Sequence, residues 1–255
     1  MDKLNVFSIA VNIGSYKEFI CTILEYAQQK KSYYTCLANV HMLVEAYLNI
    51  DFAASIGKAD LITPDGRPLT WAIQMLYGIK QDRVAGMDIL PDLLEQGQAK
   101  QLSVYFYGGH PGLLDKTRRY LANTYPDLRI CGLYSPPFRK LSEEEDEEVI
   151  KKINQSGAQL VFVSLGCPKQ EKWMAAMSNR IEAVMIGVGG ALSVMIGARK
   201  RAPKWLQTAG LEWLFRLWQE PVRLFKRYAV TNSIFIYLFL KSYLHKKVFS
   251  LRKYN

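Results

Sequence analysis

Short apolar runs alternate with amphipathic stretches along the first 190 residues of the chain. Seven apolar runs predict strands: Val6–Ala10, Tyr33–Ala38, Leu61–Thr63, Leu102–Tyr107, Leu128–Gly132, Leu160–Ser164 and Val184–Val188. The runs are continuous rather than alternating, which is typical of parallel strands covered on both faces. Helical patterns between them span residues 15–30, 40–49, 68–78, 88–98, 111–124, 142–155 and 169–179. This order predicts an α/β fold, with a mostly parallel sheet flanked by helices.

The pattern changes after Gly197, where basic and aromatic residues are mixed at helical spacing. Pro203 and Pro221 each stand where a helix can begin, because proline is favoured at the first helical position. We therefore divide the chain into an α/β core, residues 1–199, and a helical basic appendage, residues 200–255. The apolar run Ile234–Leu240 of this appendage is too short to cross a bilayer, which takes about 20 apolar residues.

The positive charge of the chain is concentrated in this last segment. The formal net charge is +10 overall, and residues 199–255 contain 13 Lys and Arg against two acids, Glu212 and Glu220. The same segment holds 12 of the 31 aromatic residues, including three of the tryptophans. Cations mixed with aromatic rings suit an anionic membrane leaflet, and they suit nucleic acid equally well. Composition alone leaves both alternatives open.

Several site classes are disfavoured by the sequence. The four cysteines lack CxxC spacing and paired histidines, which favours reduced cytosolic thiols over a zinc site or disulfides. The N-terminus has no signal-peptide pattern. Ser142 and Glu145 form a capping box, so the acidic run Glu143–Glu148 is interpreted as a solvated helix start rather than a metal site.

Candidate chemistry lies at the carboxyl ends of the predicted strands, where parallel sheets place their sites. Asn39 follows the strand Tyr33–Ala38, and Asp65 follows the strand Leu61–Thr63. Two glycine-containing segments lie at the ends of the last two predicted strands, Gly166–Glu171 and Gly187–Gly190. Asp65 at a cleft rim is placed to act as a general base. The alternative is structural, because Pro-Asp-Gly is also a common turn.

The two glycine-containing segments are suited to hold a phosphate or a sugar hydroxyl on backbone N–H groups. Neither matches GxGxxG or the P-loop, and no GxGxxG follows the first strand, which disfavours a nicotinamide-dependent oxidoreductase. Cys167 has no partner histidine nearby in sequence, which is more typical of a small buried thiol than of a nucleophile.

Three arginines of the appendage share a helical spacing. Arg216, Arg223 and Arg227 would lie on one face of a single helix, unless Pro221 breaks the register. Guanidinium groups match the geometry of a diphosphate. A solvated basic face, or one resting on lipid headgroups, explains the same charge.

Six segments, taken in order, resemble one family. They are Thr35–Asn39, Thr63–Gly66, Arg83–Asp88, Gly166–Glu171, Gly187–Gly190 and the stretch from Arg201–Pro203 to Gly210–Trp213. Over roughly residues 4–228 the chain is similar to the WecG/TagA/CpsF glycosyltransferases. The one departure is Leu192-Ser193, where that family usually has an aromatic residue and then Asp.

The resemblance implies a GT-E-like fold and an inverting, metal-independent transfer that needs no cofactor. The donor would be a UDP-sugar carrying N-acetylmannosamine, its uronic acid or a hexose. The acceptor would be a polyprenyl-diphosphate-linked saccharide of bacterial cell-surface polysaccharide synthesis. The enzyme would be cytoplasmic and peripheral on the inner face of the cell membrane, and its oligomeric state stays open.

The resemblance also assigns roles to individual residues. Asp65 would be the catalytic base, with Thr35 and Asn39 lining the pocket and Gln170 contacting sugar or nucleotide. Arg83 and Gly189 belong to the expected substrate-binding set. Arg216 and Arg223 would hold the diphosphate, together with Lys226 or Arg227.

The transferase hypothesis agrees with the charge pattern. The sequence contains no DxD motif, and arginines can supply the stabilisation of a departing diphosphate that a DxD-bound metal supplies elsewhere. A nucleic-acid-binding protein that uses the basic aromatic tail is the alternative, and it predicts steeply salt-dependent binding. The polar residues at the strand ends favour the transferase.

Overall fold

The computed structural model describes residues 1–252, with side chains as far as residue 246. Its elements, in chain order, are β1 (Lys3–Val6), β2 (Ile9–Asn12), α1 (Tyr16–Gln29), β3 (Tyr33–Ala38), α2 (Val40–Leu48), α3 (Ile50–Gly57), β4 (Leu61–Pro64), α4 (Arg67–Tyr77), α5 (Gly86–Ala99), β5 (Ser103–Gly108), α6 (Pro111–Thr124), β6 (Arg129–Tyr134), α7 (Glu143–Gln155), β7 (Leu160–Ser164), α8 (Lys169–Met177), β8 (Val184–Gly187), α9 (Ala191–Met195), α10 (Lys204–Thr208), α11 (Glu212–Gln219) and α12 (Pro221–Arg252).

Six of these strands form one sheet, in the order β4-β3-β8-β7-β5-β6, and every pairing in it is parallel. One face packs against α2, α3, α4, α7, α8 and α12, and the other against α1, α5, α6 and α9. Successive side chains of a strand point to opposite faces of the sheet. Cys36 packs on the face covered by α2, and Leu37 packs on the face covered by α1. Both faces are therefore apolar, which explains the continuous runs, and the predicted fold class is confirmed.

The first predicted strand is wrong. The run Val6–Ala10 is interrupted by a turn at Phe7 and Ser8, and Phe7 has a φ of 54°. β1 and β2 consequently pair antiparallel in a separate two-stranded sheet, instead of adding a parallel strand to the large one. The hairpin lies along the edge strand β4, where the Ile62 backbone N–H donates to Asn12 Oδ1 at 2.9 Å.

Two helices of the core were not predicted. Asn49 ends α2 and also caps α3, where its side chain accepts a hydrogen bond from Phe52 N at 2.9 Å. The helix predicted over 40–49 therefore corresponds to α2, and α3 follows it as an additional helix. The five-residue α9 follows the Gly189-Gly190 turn. The predicted capping box at Ser142 and Glu145 is confirmed, with reciprocal bonds of 3.3 Å and 2.9 Å.

The described part of the appendage consists of α10, α11 and α12. Pro203 caps α10 and Pro221 opens α12, so both prolines mark helix starts. Phe235 and Leu238 of α12 are buried in the core face that α2 also covers. No helix within the described residues is long and apolar enough to span a membrane.

Candidate active site

A cleft of about 660 Å³ opens at the carboxyl edge of the sheet. Its core walls come from the loops that follow β3, β4, β7 and β8, which include Asn39, Asp65, Gly166 and Gly189. Helices α11 and α12 of the appendage complete the cleft with Arg216, Arg223 and Arg227 among other side chains. A cavity of this size suits a small-molecule ligand, for which about 300–1,000 Å³ is usual.

Asp65 lies directly after the edge strand β4 and lines the cleft. Its backbone N–H donates to the Ala38 carbonyl at 2.7 Å, which extends the pairing of β3 and β4 by one step. Asn39 caps α2 by accepting from Met42 N at 3.2 Å, and its Nδ2 lies 3.5 Å from Asp65 Oδ2. The ends of two adjacent strands thus bring these two predicted residues together.

The charge state of Asp65 is set by opposing influences. Removal from solvent raises the pKa of its carboxyl to about 6, and the nearby Glu212 also raises it, while Arg83, Asn39 and Arg216 act to lower it. A carboxyl with a pKa close to neutral is ionised at pH 7 and still has an appreciable affinity for a proton. General bases require this combination.

We expect the reaction rate to depend on pH through this group. Below about pH 6 the Asp65 carboxylate takes up a proton and can no longer accept one, so kcat/KM should fall about tenfold per pH unit. Initial rates between about pH 5 and pH 8, with the fold monitored by circular dichroism, test this. A rate that stays constant down to about pH 5 would contradict the assignment.

Gln170 is 5% exposed, and its amide is held by the protein. Nε2 donates to Glu171 Oε1 at 2.6 Å and to the Gly187 carbonyl at 3.2 Å, and Oε1 accepts from Gly166 N at 3.3 Å. A Cβ on Gly187 would lie 2.9 Å from Gln170 Nε2, so glycine makes room for this amide. Gln170 lines the cleft while joining the loops after β7 and β8.

Besides Lys226, two of the predicted binding residues do not line the cleft. Thr35 is completely buried in the middle of β3, beneath the cleft floor. The Arg83 guanidinium is engaged by two carboxylates, Asp88 at 2.7 Å and Glu212 of the appendage. Contact of either residue with a substrate stays a prediction.

The appendage arginines converge on the cleft from two helices rather than one. Arg216 lies on α11 and Arg223 and Arg227 lie on α12, since the register breaks at Glu220 and Pro221. All three line the cleft, whereas the Lys226 side chain is exposed and lies outside it. Of the two predicted alternatives for the third cation, Arg227 is the one that the structure places at the site.

Ion pairs fasten the start of α11 to the core. Arg83 binds Glu212, and Asp88 of α5 accepts from both Arg83 and Arg201. The side chain of Arg83 is only 10% exposed, whereas those of Asp88 and Arg201 are 31% and 33% exposed, so the network is buried at Arg83 and partly open to solvent at its other end. It fastens the start of α11 to the core, and Arg216 of the same helix lines the cleft.

Sequence reasoning missed several cleft residues. Arg67, Arg199 and Glu212 line the cleft with no role assigned to them in advance, and so does His41. Glu212 stands within a segment that carried the family resemblance, but its partner Arg83 is 129 residues away in sequence. Nothing in the sequence except their charge marks Arg67 and Arg199 as cleft residues.

Cys167 also lines the cleft, and its environment does not support a nucleophile. Burial raises the pKa of its thiol, and the nearby Glu171 raises it further. The thiol therefore stays protonated near neutral pH, as expected for an inert buried cysteine.

Comparisons with known proteins converge on one family. The family described as "Glycosyl transferase WecG/TagA/CpsF family" matches residues 4–248. An "N-acetylglucosaminyldiphosphoundecaprenol N-acetyl-beta-D-mannosaminyltransferase" from Bacillus spizizenii (strain ATCC 23059 / NRRL B-14472 / W23) is 33% identical over 199 residues, 78% of this chain and 76% of the relative. A protein of the same description from Bacillus subtilis (strain 168) is 28% identical over 220 residues, 86% of this chain and 83% of the relative.

Proposed function

The chain belongs to the WecG/TagA/CpsF family of glycosyltransferases, and from this membership we propose that it transfers N-acetylmannosamine from a UDP-sugar to a saccharide on polyprenyl diphosphate. Both relatives are described as N-acetylmannosaminyltransferases that act on N-acetylglucosaminyldiphosphoundecaprenol. The observation that carries the proposal is the cleft itself, which has a carboxyl of raised pKa on the core side and three arginines on the appendage side.

In the proposed reaction Asp65 acts as the general base. A hydroxyl of the acceptor saccharide attacks the anomeric carbon of the donor, and Asp65 accepts the hydroxyl proton. The bond between the anomeric carbon and the diphosphate oxygen breaks, and UDP departs with the bonding electrons. A single displacement of this kind inverts the anomeric configuration.

The arginines stabilise the leaving group in this scheme. Negative charge grows on the diphosphate as its bond to the sugar breaks, and preformed cations stabilise the transition state more than the ground state. Arg216 is placed for this role, since its Nη2 lies against the Gly189-Gly190 turn, 3.4 Å from where a Cβ on Gly190 would be. Arg223 and Arg227 approach from α12.

We expect transfer to proceed without a divalent cation. Within the described residues no group of three or more His, Cys, Asp or Glu side chains is arranged to hold a metal ion. In the proposed scheme the arginines of the cleft supply the positive charge for the departing diphosphate, so purified enzyme, a UDP-sugar panel and a polyprenyl-diphosphate N-acetylglucosamine acceptor should give the same initial rate with and without EDTA. A rate that EDTA abolishes and magnesium restores would contradict metal independence, while no transfer from any donor would contradict the proposed function.

We further propose that the appendage rests on the inner leaflet of the cell membrane, where the acceptor lipid lies. Its exposed apolar side chains include Trp205, Trp218, Val222, Phe225 and Tyr237. Lys204, Lys226 and Lys241 are exposed on the same helices. Aromatic residues and lysines together favour an anionic interface.

The nucleic-acid alternative receives less support. Arg216, Arg223 and Arg227 line the same cleft as Asp65. A nucleic-acid-binding surface needs cations along an exposed face that a phosphate backbone can follow. Family membership favours the transferase for the same chain.

A further inference from the structure

A carboxylate with two guanidinium partners lies where α11 turns into α12. Glu220 occupies this corner, immediately before Pro221. Its Oε1 binds Arg199 Nη2 at 2.7 Å, and its Oε2 binds Arg223 Nη2. Each carboxylate oxygen is therefore occupied by a different arginine, one from the end of the core and one from α12.

This ion-pair cluster is accessible from the cleft. Arg199, Arg216 and Arg223 line the cleft that contains Asp65, and Glu220 lines a small recess that shares Arg199 and Arg216 with it. The side chains of Arg199, Glu220 and Arg223 are 40%, 25% and 51% exposed. Both arginines are therefore exposed to an anion that enters the cleft.

Glu220 stays ionised in this setting. Partial burial acts to raise its pKa, but Arg223, Arg199 and Arg216 together lower it below the usual value. The cluster therefore contains one negative charge among three positive ones. A carboxylate and a phosphate group offer guanidinium the same acceptor geometry.

We propose that Glu220 is a placeholder counter-ion, which holds Arg199 and Arg223 in the empty enzyme and is displaced from them by the diphosphate of the nucleotide. The identity of that diphosphate rests on the proposed function. Glu220 would keep the two arginines oriented when no ligand is present. It would also compete with the nucleotide, which limits how tightly the product UDP is retained after transfer.

A purely structural role for Glu220 predicts the opposite result. If its ion pairs only fasten the corner between α11 and α12 to the core, removing its charge loosens the arginines and weakens binding of an anion. If Glu220 is a competitor, removing its charge strengthens that binding. The sign of the change therefore separates the two roles.

The test is isothermal titration of the full-length protein with inorganic pyrophosphate and, separately, with UDP. We expect Glu220→Gln to bind both anions about fivefold more tightly than the unsubstituted protein does. The substitution removes one partly screened negative charge that repels the anion. Arg199→Gln should bind both about fivefold more weakly, since Arg199 would contact the diphosphate directly. Glu182→Gln, an exposed acid just before β8 at the opposite edge of the sheet, is the matched control and should bind as the unsubstituted protein does.

Unchanged or weaker binding by Glu220→Gln would overturn the proposal, and so would an Arg199→Gln variant that binds normally. Failure of the unsubstituted protein to bind pyrophosphate would overturn it as well. The titrations do not depend on sugar transfer, so an enzyme that transfers no sugar while Glu220→Gln binds pyrophosphate more tightly would refute the proposed function and leave the counter-ion role in place.

Discussion

Replacing Asp65 with asparagine is expected to reduce sugar transfer by roughly 10²–10⁴-fold, the usual contribution of a general base. The amide has nearly the same shape as the carboxyl group but cannot accept the hydroxyl proton. The folded protein should not lose stability, because burial already disfavours the charged form of Asp65, as its raised pKa indicates. Initial rates with the lipid-linked acceptor measure the first effect, and thermal melting at neutral pH measures the second.

Asp115→Asn provides the matched control for this substitution. Asp115 is an exposed carboxylate on α6, a helix that contributes nothing to the cleft lining. The Asp115→Asn variant should transfer sugar at the same rate as the unsubstituted protein. Normal turnover by Asp65→Asn would defeat the catalytic assignment, and a large fall in its melting temperature would mean that the lost activity reflects unfolding.

Removal of the appendage after residue 199 is expected to abolish transfer while leaving the core folded. All six strands of the parallel sheet lie between residues 33 and 187, so the sheet survives the deletion. The cut removes Arg216, Arg223 and Arg227 from the cleft, and with them the cations for the leaving group. Full activity in the shortened protein would rule out a role for these arginines.

The shortened core should also be less stable than the whole chain. Leu224, Tyr228, Phe235 and Leu238 of α12 are buried, and burying a large apolar side chain contributes about 1.5–3 kcal/mol. Their removal exposes the matching face of the core. Circular dichroism should still show the α/β fold, with a lower melting temperature than that of the full-length protein.

Substitutions in the full-length protein separate the chemistry of the arginines from the packing of the appendage. Arg216→Gln and Arg227→Gln should each slow transfer with little loss of stability, because both side chains face the cleft. Lys226→Gln should have the smaller effect, since Lys226 lies outside the cleft. If Lys226→Gln slows transfer as much as Arg227→Gln does, the choice of Arg227 as the third cation is wrong.

Local pattern was enough to predict the parallel sheet and the positions of Asn39 and Asp65. Both faces of β3, β4, β5, β7 and β8 are buried, so their apolar runs are visible in the sequence. In a parallel sheet the carboxyl ends meet at one edge, and residues that follow different strands come together there. The N-terminal hairpin escaped prediction because its turn at Phe7-Ser8 contains neither glycine nor asparagine.

Long-range contacts of charged residues could not be predicted from the sequence. The pairing of Arg83 with Glu212 joins residues that only the completed fold brings together. The sequence therefore predicts that Arg83 binds substrate, whereas in the structure its guanidinium is paired with the carboxylates of Asp88 and Glu212. The break between α11 and α12 was signalled by Pro221, but the convergence of both helices on one cleft depends on the packing of α12 against α2 and of α11 against α12.

The N-terminal hairpin has a consequence for the reaction, although its residues do not line the cleft. Asn12 holds the backbone of Ile62 only three residues before Asp65, and Gln81 joins Gly14 to the loop that carries Arg83 through bonds of 3.0 Å and 2.7 Å. The segment up to Gly14 therefore acts as a brace behind Asp65, the proposed general base.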